Sequence, residues 1–160
     1  MNEFNHKPTI VLVDDEEMVL TSIRSLLEME SDYKVKTFTS PVKAVQYIED
    51  NGVHLVISDY LMEEMDGITF LAEVKKIKPD IPRIIITGYA DKENAIKAIN
   101  EVGLFQYIEK PWDNNDLLLK IQNGVEKFEL IRRLQNKISK LDIENSVRND
   151  IYEKMLATFV

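Results

Sequence analysis

The chain contains no cysteine, which excludes a disulfide framework, a thiolate metal site and a thiol nucleophile. No apolar run approaches the roughly 18 residues of a membrane-spanning helix. The opening residues, MNEFNHK, are polar and lack the apolar core of a signal peptide. A disordered leader over residues 1–7, a cytoplasmic location and no membrane partner are the expectations. Histidine occurs only at His6 and His54, one in the polar leader and one at a strand start. Neither is expected to be a phosphorylated histidine or a metal ligand. Basic charge is also scarce, with 20 Lys and Arg against 28 Asp and Glu, a formal −8. Residues 124–160 carry +1, so residues 1–123 carry −9. That first part lacks the electrostatic footprint for nucleic acid, and direct binding of DNA or RNA is not expected. There is no internal repeat and no low-complexity tract.

What is present suits a packed domain with length left over: 160 residues, 44% of them apolar. Strand and helix signals alternate. TIVLV at Thr9–Val13 is a β-branched run, followed by an amphipathic stretch over residues 17–29 with Val19, Leu20, Ile23, Leu26 and Leu27. Residues 33–38 form a second strand candidate. Ser40-Pro41 is an N-cap followed by proline at the first helical position, and this helix stops at Asn51-Gly52. Residues 54–58 are the third strand, 67–78 the next helix, and Arg83–Thr87 (RIIIT) the fourth strand. Asp91 is expected to cap a helix that Gly103 ends. Residues 105–108 make a fifth strand, and a last helix starts after Asp113. The pattern is (βα)₅, and near-continuous apolar strands mean a parallel sheet buried on both faces. A three-layer α/β/α sandwich with a flavodoxin-like sheet order 2-1-3-4-5 follows.

The last helix does not stop with the domain. A 3,4 spacing runs through Ile131, Leu134, Ile138, Leu141, Asn145, Arg148, Tyr152, Met155 and Phe159, and no Gly or Pro interrupts residues 125–160. Such a seam predicts a coiled coil. The expected division is a domain over 8–125 and a helical extension over 126–160. That extension would dimerise and lead to a missing or separate output; the alternative is a helix folded back on its own domain.

Charged residues fall where the strands end. Asp14 and Asp15 follow the first strand, Asp59 ends the third, Thr87 ends the fourth and Lys110 follows the fifth. In open α/β sheets that rim is where ligands bind. Three carboxylates gathered there repel one another without a cation, and oxygen ligands suit Mg²⁺, with Mn²⁺ as an alternative. Thr87 and Lys110 supply a hydroxyl donor and a counter-charge for an anion beside Asp59. The simplest alternative is that Asp14 and Asp15 only cap the following helix.

VDDEE, VISDYLMEEMDG, IIITGYA and YIEKPW, in that order and strand context, resemble the receiver domain of two-component response regulators over about residues 8–128. The resemblance implies that Asp59 is the phosphoacceptor for a sensor histidine kinase or a histidine phosphotransfer protein. It implies that Asp14, Asp15, Asp59 and the backbone carbonyl of Leu61 hold Mg²⁺, and that Lys110 pairs with phosphoryl oxygens. Thr87 and Tyr107 would be the switch residues, reshaping the face of the fourth helix, fifth strand and fifth helix. The Lys110-Pro111 peptide would be cis, and the chain would not be an enzyme beyond promoting its own phosphorylation and dephosphorylation. One departure is Glu63, where the family commonly has proline, followed by Glu64. Two extra carboxylates are expected to alter loop rigidity and slow the access of anionic phosphodonors. Tyr89 is a candidate gate for water. Two other readings compete. A pseudo-receiver dimerisation module would not need the intact residue set. A haloacid-dehalogenase-like phosphohydrolase would want two aspartates spaced by one residue, where the residue two beyond Asp14 is Glu16.

Overall fold

The computed structural model describes residues 6–158. The expectations for residues 1–5 of the leader and for Phe159 lie outside the described residues, as does that for the Tyr89 side chain. Five strands, β1 (Thr9–Val13), β2 (Lys34–Phe38), β3 (Leu55–Asp59), β4 (Arg83–Thr87) and β5 (Gln106–Glu109), alternate with helices. The helices are α1 (Glu17–Glu30), α2 (Pro41–Asp50), α3 (Gly67–Ile77), α4 (Lys92–Glu101) and α5 (Asn114–Thr158). All strand pairs are parallel, in the order β2-β1-β3-β4-β5. The sheet order and the extended C-terminal helix agree with the sequence reading.

Alternation along the strands splits the core into two layers. Val11, Val13, Val56 and Ile85 pack with Ala44, Ile48, Phe70, Leu71, Val74 and Ala95 from α2, α3 and α4. Ile10, Leu12, Leu55, Ile57, Ile84 and Ile86 pack with Leu20, Ile23 and Leu27 of α1 and Leu117, Ile121 and Val125 of α5. Every residue of β1, β3 and β4 is buried, so the three central strands are fixed as a rigid base for whatever their ends carry.

Local signals place the helices with one correction. Ser40 Oγ accepts from the Lys43 N–H (3.4 Å), with Pro41 in the first turn of α2. Asp66 Oδ1 accepts from the Thr69 N–H (2.8 Å) at the start of α3. Asp91, expected to cap α4, makes no side-chain cap bond, because it closes a 3₁₀ turn over Tyr89–Asp91 that leads into the helix. Gly103, just beyond α4, has φ +71°, the left-handed conformation that favours glycine.

By compactness the chain divides into residues 1–128 and 129–160. In the second unit the side chains of residues 132–157 are exposed. Leu134, Ile138, Leu141, Tyr152 and Met155, on the heptad seam, are between 50% and 63% exposed.

Candidate functional site

Asp14 lies one residue past β1 and Asp59 is the last residue of β3, the neighbouring strand. Asp15 is the next residue after Asp14. Consecutive residues on an extended strand point to opposite faces, so the turn out of β1 decides whether both reach one place. They do: carboxylate oxygens of Asp14, Asp15 and Asp59 all lie within 4.8 Å of one another. Asp14 and Asp59 are buried and Asp15 is exposed. Asp14 Oδ1 accepts from the Glu16 N–H (2.8 Å), turning the chain into α1. Its Oδ2 is buried without a hydrogen-bond partner.

Lys110 follows β5 and reaches across the rim. Its Nζ stands 3.0 Å from Asp59 Oδ1 and 3.8 Å from Asp14 Oδ2. The Lys110-Pro111 peptide is cis, and the Lys110 N–H donates to the Thr87 carbonyl (2.9 Å). Thr87 ends β4 fully buried, its hydroxyl donating to the Gly88 carbonyl (3.2 Å). Tyr107 is half-buried in β5, with Lys120 Nζ 5.7 Å from its ring centroid and donating to its carbonyl (3.2 Å). Leu61 sits in the loop after β3, its side chain 62% exposed.

Burial dominates the electrostatics. It raises the Asp14 carboxyl to about 6, against the Glu16 N–H bond, with repulsion from Asp59 adding to the rise. Asp59 is also raised by burial, opposed by its hydrogen bond to Lys110. Burial acts to lower the Lys110 ammonium, but the hydrogen bond and attraction of Asp59 outweigh it and leave it raised. Two buried carboxylates thus share a single ammonium, and Asp14 Oδ2 remains unsatisfied. A hard divalent cation fits that donor set: oxygen ligands, excess negative charge and an unpaired buried oxygen.

Three supports of this site are not read from the sequence. Gly67 opens α3 against the backbone at the end of β3. A Cβ there would overlap the Asp59 carbonyl oxygen and come 3.1 Å from Tyr60 Cα. The Met-Asp-Gly run gives the turn but not this close approach. Ser58 is buried, and its Oγ donates to the Asp59 carbonyl (2.9 Å). Glu64 Oε2 accepts from Ser40 Oγ (3.0 Å), tying the loop after β3 to the cap of α2.

The match to known proteins covers this same unit. A family model described as response regulator receiver domain matches residues 10–122. The hydrogenase transcriptional regulatory protein HoxA of Bradyrhizobium diazoefficiens is 34% identical over 122 residues, 76% of this chain and 25% of that protein. The transcriptional regulatory protein GlrR of Escherichia coli is 32% identical, covering 77% of this chain and 28% of that protein. The chain therefore spans about a quarter of the length of the curated relatives it matches. Among solved structures, a response regulator receiver domain protein from Clostridium thermocellum is 35% identical with a TM-score of 0.73, covering 78% of this chain and 98% of that one. NtrX from Brucella abortus is 29% identical with a TM-score of 0.74, covering 81% of this chain and 30% of that one. With its sheet order, its three converging carboxylates and these relatives, the chain belongs to the response regulator receiver domain family.

Proposed function

We propose that the chain is a phosphorylation-activated switch in which Asp59 accepts a phosphoryl group from a histidine kinase or a histidine phosphotransfer protein in the cytoplasm. The observation that carries this reading is the unsatisfied, buried Asp14 Oδ2 beside Asp59, with Lys110 bonded to the acceptor. An Asp59 oxygen attacks phosphorus as the bond to the leaving group breaks. The leaving group departs with the bonding pair, an imidazole taking its proton from solvent. Both reactants are anionic, and Lys110, 3.0 Å from Asp59 Oδ1, offsets part of that repulsion.

Asp14, Asp15, Asp59 and the Leu61 carbonyl would hold Mg²⁺, or Mn²⁺. When bound, the ion supplies charge neutralisation at the phosphoryl oxygens and fixes their orientation. The product takes Asp59 from −1 to about −2. The Thr87 hydroxyl then leaves the Gly88 carbonyl for a phosphoryl oxygen, and Tyr107 turns into the space it vacates. That movement alters the face formed by α4, β5 and the receiver part of α5. The seam over residues 131–155, exposed from Leu134 onward, pairs with a second copy, so phosphorylation acts on a dimer rather than on catalysis of an external substrate.

Borohydride reduction after treatment with acetyl phosphate and Mg²⁺ locates the acyl phosphate. The reduced residue should map to Asp59, and a modified residue elsewhere contradicts the assignment. Sedimentation equilibrium tests the dimer: Leu141→Glu should weaken association at least about tenfold, the scale of one charge placed in an apolar seam. Unchanged association would assign the seam another role.

A further inference from the structure

The loops at the two ends of the sheet differ sharply in charge. Asp59 and the loops leading from strands into helices (residues 14–16, 39–40, 60–66, 88–91 and 110–113) hold nine carboxylates and one ammonium, Lys110, a formal −8. The loops leading from helices into strands (31–33, 51–54, 78–82 and 102–105) hold Asp32, Lys78 and Asp80, a formal −1. Nearly all of the receiver unit's excess acidity thus surrounds the acceptor. The two positive charges of one Mg²⁺ would still leave the rim strongly negative. Glu63, Glu64 and Asp66 are exposed in the loop that follows Asp59, and Glu64 is held in place by Ser40 Oγ at 3.0 Å.

A phosphoryl donor must cross this field to reach Asp59. A free anionic donor meets long-range repulsion, whereas a phosphoryl group presented on a cationic protein surface is drawn in. The rim also exposes Met18 (84%) and Leu61 (62%), apolar side chains that an apposed protein can cover and a small donor cannot. We propose that Glu63 and Glu64 act as donor-selecting residues, disfavouring free anionic phosphodonors and favouring a protein donor whose docking face is basic. This rests on the phosphoacceptor reading.

The test uses the full chain with saturating Mg²⁺ and acetyl phosphate as donor, comparing wild type with Glu63→Gln/Glu64→Gln. The glutamine at 64 can still accept from Ser40, so charge changes while the loop contact stays. With Mg²⁺ and acetyl phosphate held constant, raising the total ionic strength to about 150 mM with NaCl shortens the Debye length to about 8 Å. The wild-type labelling rate should rise at least about threefold on that increase, in keeping with the size of steering effects. The double variant should start faster and respond less. A deca-lysine peptide at low salt should shift amide resonances of the acidic loops in the wild type, and less in the variant. A flat or falling rate, an identical salt response in both proteins, or peptide shifts spread over the helix-to-strand loops would overturn the proposal. No labelling of the wild type at any salt contradicts the phosphoacceptor reading itself and removes the proposal with it.

Discussion

The two ends of the same β-sheet treat buried charge in opposite ways. At the helix-to-strand end, Arg83 opens β4 at 4% exposure, and both of its terminal nitrogens are engaged by backbone. Its Nη1 donates to the Leu71 (3.3 Å) and Val102 (3.1 Å) carbonyls and its Nη2 to the Gly103 carbonyl (2.8 Å). Only Nε lacks a partner, and burial lowers the guanidinium below its ordinary range. Nearby, the Thr9 N–H donates to His54 Nδ1 (3.1 Å) while the His54 N–H donates to the Thr9 carbonyl (2.9 Å). At the strand-to-helix end, Asp14 and Asp59 are equally buried but share one lysine. The first end spends its polar groups on closing helices onto strands. The second holds polar capacity in reserve, which costs stability and leaves room for a ligand. The sheet supports both because every residue of its three central strands is buried.

The largest expected effect breaks the stabilising end. Arg83→Met removes three charge-assisted bonds and takes the guanidinium donor from the Val102 and Gly103 carbonyls, while the Leu71 carbonyl keeps its place in the α3 ladder, for a loss of about 4 kcal/mol. Denaturant melts should show it, while phosphorylation at a temperature where the variant stays folded is retained. Gly67→Ala acts at the other end. Its Cβ meets backbone, which cannot swing aside as a side chain can, so a loss of about 3 kcal/mol is expected from overpacking. Because the overlap is with the Asp59 carbonyl, phosphoryl acceptance should fall with it, separating this variant from Arg83→Met.

Asp14 sharpens the contrast by changing sign. Its carboxyl is raised by burial from 3.8 to about 6 in the folded chain. The native state therefore binds more protons than the unfolded chain between those values, and stability falls as pH rises through that window. At neutral pH without divalent ions, Asp14→Asn should stabilise the chain. The gain is below about 3 kcal/mol, from 1.36 kcal/mol per pKa unit, and is reduced by the lost attraction to Lys110. Melting curves should also show that Mg²⁺ raises the wild-type melting temperature and no longer raises that of the variant. The smallest effect is at Gly124 in α5. A Cβ there comes 2.7 Å from Leu55 Cδ1, the movable end of a side chain, and alanine regains about 1 kcal/mol of helix propensity. Gly124→Ala should change stability by less than about 1 kcal/mol.

The site was more legible than its supports. Asp14, Asp59, Thr87 and Lys110 could be placed because apolar runs mark strands and charged residues mark where they stop. Boundaries slipped by one residue at β2, β3 and β5, where the flanking Tyr33, His54 and Phe105 are as compatible with a strand as the residues inside. Asp91 stands at the N-cap position of α4 as read, but without a side-chain cap bond, because its backbone N–H closes a 3₁₀ turn onto the Gly88 carbonyl (3.1 Å). Arg83 looked like an ordinary strand start, since its partners lie 12 to 20 residues away. Gly67 and the Ser40–Glu64 bond were hidden for the same reason: what they touch is decided by packing, not by local pattern.

The most direct test of the central claim is intact mass after incubation with acetyl phosphate, with and without Mg²⁺, on wild type and Asp59→Asn. The account predicts one added phosphoryl group on the wild type in Mg²⁺, and none on Asp59→Asn or after chelation. An equal gain in Asp59→Asn, or labelling indifferent to Mg²⁺, would contradict it.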